Sequence, residues 1–405
     1  MRVFQLNTFC GIKSTGRITT DIARLLKQQE DECRIGFGAE NVPLHDAHCA
    51  YRIGTPFERK IHGALRKFLD GEGYGSVLGT RRLIRELQCF RPDLVHLHNL
   101  HGCYVNLSML FRYLRKSEIP VILTLHDCWP FTGHCAFFSY VACEKWKRSC
   151  DHCPQLRSYP ASLWWDGSKR NFDHKKKLFL SLKNLRLVTP SYWLAALLPF
   201  SFLRDFPVHV IPNGVNREIF RPSAMKEVTA LREKWMLAEK LVVLAVAAAW
   251  DLRKGLRFLL EAAELLGDAY QVVVVGLTPK EIALLPPKVL GIEATQSAEE
   301  LAAWYSLASC LANPSMEDNM PLVNLEALAC GTPVVTFQTG GCPEALEESC
   351  GRIVPQGDVP SFAESIRLVA PQKERMKPAC LARAAHFDMA ACYDQYLKLY
   401  KELCP

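Results

Sequence analysis

Short apolar runs alternate with stretches of helical spacing along this chain, and that alternation runs through twice. Arg2–Leu6 reads as a strand. A Gly/Ser/Thr loop follows it, then a helix over Thr19–Gln29 with Ile22, Leu25 and Leu26 on one face. Leu94–Leu97 and Val121–Leu125 are further strands, each preceded by a proline, with a helix over Tyr104–Lys116 between them. Runs that are apolar throughout, rather than alternating, belong to strands covered on both faces, and the strand–helix–strand order makes the sheet parallel. The pattern breaks at Pro207–Pro222, where VHVIPNGVNREIFRP carries a Pro-Asn-Gly turn and predicts a hinge. It then restarts with strands at Leu241–Ala247, Gln271–Val275, Cys310–Asn313 and Pro333–Thr336, and helices at Gly255–Leu266, Glu299–Ser309 and Leu322–Ala329. The expectation is an α/β chain of two doubly wound, Rossmann-like domains, 1–205 and 206–385. A terminal amphipathic helix within 386–405, with Tyr393, Tyr396, Leu397 and Tyr400 on one side, is expected to pack back on the first.

Composition narrows the class. The chain has 405 residues, 49% hydrophobic and 22% charged, as an ordinary globular protein has. Its longest apolar run, Leu241–Trp250, is ten residues, whereas a membrane span needs about 20. The start, MRVFQLNTFCG, lacks the apolar core of a signal peptide, so the expected location is cytoplasmic. The net charge of +7 is uneven: residues 1–205 carry 30 Lys and Arg against 18 Asp and Glu, a balance of +12, which leaves −5 for residues 206–405. The basic half is suited to an anionic partner, nucleic acid being the plain guess and an anionic membrane surface or phosphorylated lipid the other. Phe57–Leu69 sets Arg59, Lys60, Arg66 and Lys67 around Ile61, Leu65 and Phe68, and Lys169–Lys177 adds charge; such a helix lies on anionic lipid or simply faces solvent.

Four segments carry candidate chemistry. In NTFCGIKSTGRI, Gly11, Ser14, Thr15 and Gly16 follow a strand and open a helix, which suits a phosphate, although a plain turn reads the same way. Residues 313–335, NPSMEDNMPLVNLEALACGTPVV, put Asp318 before a helix and Glu326 inside it; the amides from Asn319 to Val323 are open to an anion or sugar hydroxyls, and Glu326 suits a pair of ribose hydroxyls. The bland alternative is an N-cap at Asp318 and an exposed Glu326. His126 ends the strand VILTL at the carboxyl edge of a sheet, where α/β folds bind ligands, though a histidine there is often structural. Cys135, Cys143, Cys150 and Cys153, closing on a Cys-x-x-Cys, have spacing compatible with a structural zinc site in a cysteine-rich insert, 128–160; buried free thiols or a disulfide are the alternatives.

Together with HLHNLHG (His96–Gly102), TLHDCWPFTGHC (Thr124–Cys135), CEKWKRSCDHCP (Cys143–Pro154), TPSYWLA (Thr189–Ala195), IPNGVN (Ile211–Asn216) and WDLRKG (Trp250–Gly255), these segments resemble the retaining GT-B glycosyltransferases of family 4. Residues 313–335 resemble that family's Glu-x7-Glu region, in the Glu-Asp-Asn variant of bacterial exopolysaccharide and colanic-acid-type transferases. The resemblance implies two domains facing a cleft. The second would hold a UDP- or GDP-sugar through Arg253, Lys254, Asn319, Met320, Pro321, Leu322 and Glu326. His126, Asp318 and Glu326 would form the reaction centre, and the first domain would hold a lipid-linked or oligosaccharide acceptor near the Gly11–Gly16 loop. It further implies transfer with retention to a growing bacterial polysaccharide at the inner membrane surface, and no nucleic acid partner. No Asp-x-Asp occurs, so no catalytic metal is expected. Two positions depart from the pattern: Asp318 stands for the first Glu, and Ala249 stands where an Arg is common, with Arg253 beside Lys254 as the replacement cation. Those departures keep two alternatives in view, a non-transferring epimerase-like enzyme and a silent, zinc-stapled assembly subunit.

Overall fold

The computed structural model describes residues 1–237 and 239–404. Among the described residues, thirteen strands build two all-parallel sheets. The first holds β1 (Arg2–Asn7), β2 (Glu32–Phe37), β3 (Ala50–Arg52), β4 (Leu94–Leu97), β5 (Val121–Thr124), β6 (Leu185–Thr189) and β7 (Val208–Val210), in the order β3-β2-β1-β4-β5-β6-β7. The second holds β8 (Leu241–Val246), β9 (Tyr270–Val275), β10 (Val289–Ile292), β11 (Cys310–Asn313), β12 (Val334–Phe337) and β13 (Gly351–Val354), in the order β10-β9-β8-β11-β12-β13. The strand order reverses between β1 and β4 in one sheet and between β8 and β11 in the other. Crevices open at the carboxyl ends of such strand pairs, so the loops after these four strands are where ligands belong.

The second sheet shows why its strands are apolar throughout. Val242, Leu244, Val273, Val275, Leu311 and Val334 join a core that includes Ala302, Tyr305, Leu325 and Leu328. Their immediate neighbours Val243, Ala245, Val272, Val274, Ala312 and Val335 join another, with Leu259, Ala262, Phe362 and Ile366. Successive side chains of a strand point to opposite faces, and both faces here are covered by helices.

The division into compact units falls at Met1–Pro212 with Tyr393–Pro405, and Asn213–Cys392, not at 205 and 385. Residues 206–212 stay with the first unit because β7 adds to its sheet, Leu187 pairing with Val208. Residues 386–392 stay with the second because Asp388 bridges Val215. The final helix, Met389–Leu403, sends Tyr393, Tyr396 and Tyr400 into the first unit, all buried. There Tyr400 Oη stands 2.6 Å from His96 Nδ1, and Tyr396 Oη lies 3.2 Å from Thr124 Oγ1.

One other expectation is corrected. The first helix is Lys13–Gln28, so Ser14, Thr15 and Gly16 lie in its first turn, not in a loop before Thr19; helix starts as soon as Gly11, at φ +72°, has turned the chain. The four candidate zinc cysteines do not converge as a group of three or more, although Cys135 and Cys153 interact with each other and Cys150 lies near both. Cys135, Cys143, Cys150 and Cys153 are free thiols, and among the described residues His62, Glu72 and Cys103 alone converge as a group of three or more metal-binding side chains. The insert is packed by aromatic rings: Trp146 is buried, stacked on Phe138 at 4.6 Å and edge-on to Phe131 at 5.4 Å.

Candidate functional site

Both units carry polar clusters at the carboxyl ends of their strands. In the first, β1 delivers Gln5 and Asn7, β4 delivers His96 and leads to His98 and His101, and β5 leads to His126 and Asp127. Gln5 Nε2 donates to Thr19 O at 2.9 Å, which turns its Oε1 toward His98 Nε2, 3.0 Å away. An amide oxygen only accepts, so His98 carries its proton on Nε2. Burial, aided by His96 and His126, holds His98 neutral, its pKa well below the ordinary histidine value. Its Nδ1 is therefore an acceptor, and it faces His126 Nε2 at 2.9 Å. That hydrogen bond fixes His126 as the Nε2–H tautomer, with an unprotonated Nδ1. Burial lowers the pKa of His126 to about 4, although the Asp127 charge opposes the shift. His126 is thus a neutral, oriented ring at ordinary pH.

Beside it, a histidine and a carboxylate are in direct contact. His101 Nε2 lies 2.8 Å from Asp127 Oδ2, His101 Nδ1 lies 2.8 Å from Tyr159 Oη, and Asp127 Oδ1 accepts the Trp129 amide at 2.9 Å. Burial pushes the Asp127 pKa up, but His101 outweighs it and the net direction is down. The loop after β1 is tied to the same edge: Asn7 Oδ1 accepts the Asn99 amide at 3.3 Å, and Asn7 Nδ2 donates to Thr15 Oγ1 at 3.3 Å. The helix Lys13–Gln28 starts without a side-chain cap, so its first amides meet solvent or a ligand. Ser14 is exposed there, whereas Gly16 is buried against Phe9.

In the second unit the loop after β8 carries Arg253 and Lys254, and the loop after β11 carries Glu317, Asp318 and Asn319. Lys254 Nζ meets Asp318 Oδ2 at 2.5 Å, and Arg253 Nη1 donates to the Glu317 carbonyl at 3.2 Å. Burial raises the Asp318 pKa, but Lys254 and then Arg253 overcome it, so the carboxylate is held below its usual range. The two loops are pinned by close backbone approach. Met316 N donates to Arg253 O at 2.7 Å, and a Cβ on Gly255, at φ +74°, would stand 2.1 Å from Pro314 O. Gly340, at φ +54°, lies against Asp318 so closely that a Cβ would be 1.8 Å from its carbonyl oxygen. Gly255 precedes the helix Leu256–Leu266, and cations beside a helix N-terminus oppose its dipole unless an anion joins them.

The structure therefore brings Arg253, Lys254, Asp318 and Asn319 together, the Asn319 amide donating to Asp318 Oδ1 at 2.9 Å. Glu326 is buried and accepts from Tyr305 Oη at 2.9 Å. Pro321 caps the helix Leu322–Ala329, and Leu322 opens it half-buried. Met320 is buried in the core, and its carbonyl accepts Asn213 Nδ2 at 2.9 Å. Gln5, His98, His101 and Tyr159 were not singled out from sequence. The two-residue spacing of His96 and His98 was a signal for the first pair of rings, since it sets both toward one face of a strand. Nothing local announces Gln5 or Tyr159, which reach these rings from distant segments.

A model described as Glycosyltransferase Family 4 matches residues 15–219, and one described as glycosyl transferases group 1 matches residues 240–370. The chain is 26% identical over 275 residues to the Escherichia coli K12 glycosyl transferase WcaC, named for colanic acid biosynthesis, a match that covers 66% of this chain and 65% of that one. Against the other curated relatives the chain spans about half of their length. Sucrose-phosphate synthase from Thermosynechococcus elongatus superposes with a TM-score of 0.72 at 17% identity, over 99% of this chain and 98% of that one. Anabaena Alr3699/HepE, solved in complex with UDP-glucose, gives a TM-score of 0.68 at 15% identity, over 99% and 100%. The fold is GT-B.

Proposed function

From the membership of this chain in glycosyltransferase family 4, we propose that it transfers a hexose from a nucleoside diphosphate sugar, with retention, to a lipid-linked or growing bacterial polysaccharide. The observation that carries the reading is the Lys254–Asp318 pair of 2.5 Å with Arg253 alongside, at the reversal of strand order in the second sheet. Departure of a nucleoside diphosphate builds negative charge on its phosphate oxygens. Lys254, Arg253 and the amides that open the helix Leu256–Leu266 stabilise that charge. Asp318 keeps Lys254 extended before the donor arrives and yields part of its hold to the diphosphate. Glu326 takes the ribose hydroxyls.

In the first unit, His126 is oriented by His98 to meet a hydroxyl of the bound substrates. The bond from the anomeric carbon to the diphosphate oxygen breaks as the acceptor oxygen approaches on the same face. The acceptor proton passes to the leaving phosphate, so no side chain needs to act as base. The amides that open the helix Lys13–Gln28 hold an anionic part of the bound substrates. UDP is the expected donor nucleotide, in line with the UDP-glucose bound by Alr3699/HepE, and an exopolysaccharide acceptor is in line with the colanic acid role in the name of WcaC. No catalytic metal is required, so turnover survives EDTA.

A thermal-shift series with UDP, GDP and their sugars tests the reading, because a ligand bound only by the folded state raises Tm. UDP-sugars are expected to raise it, and Glu326→Ala to abolish the rise. An unchanged rise in Glu326→Ala refutes the ribose role, and no rise with any nucleotide refutes the donor site.

A further inference from the structure

Inside the first unit, hydrogen-bond donors without acceptors border one small cavity. It lies between the loop after β5, the segment 70–74 and the helix Ser168–Phe179, with Asp70, Glu72, Tyr74, Trp129, His134 and Lys175 among its walls. Its volume of about 10 Å³ is room for one water or an ion of similar size. His134 is 1% exposed. Its Nδ1 lies 2.6 Å from Asp70 Oδ1, while its Nε2 is buried with no hydrogen-bond partner among the described residues. Burial lowers the pKa of this ring, but the Asp70 hydrogen bond and charge outweigh it and the net direction is up. That favours the ring with a proton on both nitrogens, so Nε2 is a donor.

Lys175 adds a second cation. It is 2% exposed, its Nζ donates to the Trp129 carbonyl and stands 3.8 Å from the centre of the Trp129 ring, and among the described residues no carboxylate lies within ion-pair distance of it. An ammonium has three N–H groups, so the carbonyl satisfies one of them. Burial lowers the Lys175 pKa to about 8, which leaves it charged at neutral pH. Tyr74 Oη is buried too, and the Arg170 guanidinium beside it can only donate, so the hydroxyl keeps its own proton to give. The acceptors on the walls are already engaged. Asp70 Oδ1 meets His134 and its Oδ2 the Gly167 amide at 3.0 Å; Glu72 Oε1 takes the Gly102 and Cys103 amides at 3.2 and 2.8 Å. Buried cations require a counter-charge. A water, which must donate as well as accept, matches this set of spare donors less well than an anion does.

We propose that this cavity is a binding site for a small monovalent anion of the halide class, held by His134 Nε2, Lys175 Nζ and Tyr74 Oη. The bound anion braces the loop that carries Asp127, because the Trp129 carbonyl rests on Lys175 and the Trp129 amide donates to Asp127 Oδ1. The site is too small for a sugar or a nucleotide and stands independently of the transfer reaction proposed above.

Bromide tests the site, because it substitutes for chloride and scatters X-rays anomalously. Crystals of the full-length protein soaked in sodium bromide are expected to show an anomalous peak within hydrogen-bond reach of His134 Nε2. In solution, Tm is expected to rise and saturate with sodium bromide relative to sodium gluconate at equal ionic strength, since gluconate is too large to enter and a ligand of the folded state alone raises Tm. Tyr74→Phe keeps the ring that stacks on His174 at 4.8 Å and removes one donor, so it should raise the bromide concentration at half-effect about tenfold. His134→Gln should abolish the saturable rise. Wild-type density at the site without an anomalous signal is a water and overturns the proposal. An anomalous peak there with equal Tm in bromide and gluconate is an adventitious ion only, and overturns it as well. So does a full bromide rise in both variants. Should His134→Gln fail to fold, Tyr74→Phe and the wild-type crystal decide the matter.

Discussion

The two sheet edges solve opposite electrostatic problems. At the first, burial keeps His98 and His126 neutral and a one-way chain of hydrogen bonds from Gln5 sets their protons. At the second, a lysine and a carboxylate are both charged and hold each other. A neutral relay controls direction, because each ring can donate on one side only. A charged pair controls field strength, because its cation is already in place before a phosphate arrives. The difference teaches that the first edge is suited to orienting a hydroxyl and the second to stabilising a departing anion.

The sharpest way to break that contrast is Lys254→Ala. Loss of one positioned cation at a developing oxyanion is expected to cost about 10²- to 10³-fold in kcat, measured as sugar transfer from the donor that gives the thermal shift. A loss below tenfold means that the second edge is not where the leaving group departs. Gln5→Glu probes the other edge. A carboxylate facing His98 favours its protonated form, which obliges His126 to reverse its donor. Turnover is expected to fall about tenfold near pH 6 and to recover as pH rises, giving a slope that the wild type lacks. An unchanged pH profile removes the tautomer relay from the account.

The smallest expected effect is on stability. His96, His98 and His126 all have folded-state pKa values below 6.5. Below that value the unfolded chain binds more protons than the folded one, so stability is complete above about pH 6.5 and falls as pH drops through the window toward 4. Tm should decline by several degrees from pH 7.5 to 5.5, beyond the loss in a His126→Gln variant. Equal declines in both proteins mean that this ring does not titrate with unfolding.

Much of the framework was legible before any coordinates. The runs marked Leu94–Leu97 and Cys310–Asn313 to the residue, because Pro92-Asp93 precedes the first and Asn313-Pro314 closes the second. Lys254 and Asp318 were legible because cations and carboxylates cluster beside Gly and Pro turns in short, continuous segments. The relay was not, since Gln5 and His98 stand 93 positions apart and only the β1–β4 pairing joins them. In the cysteine-rich insert, thiol spacing is visible in a sequence, whereas the ring packing of Phe131, Phe138 and Trp146 that the structure shows there is not.

The tyrosines of Met389–Leu403 set an order on biogenesis. His96 needs the hydroxyl of a residue made 304 positions later to satisfy its Nδ1. A ribosome that has finished β1 to β7 has thus produced a sheet with one flank unsealed, and the whole of the second unit must emerge before the cover arrives. Until then the nascent chain exposes a polar seam and the apolar wall around it. The second unit, whose strands and covering helices are contiguous in sequence, can close while the first one waits.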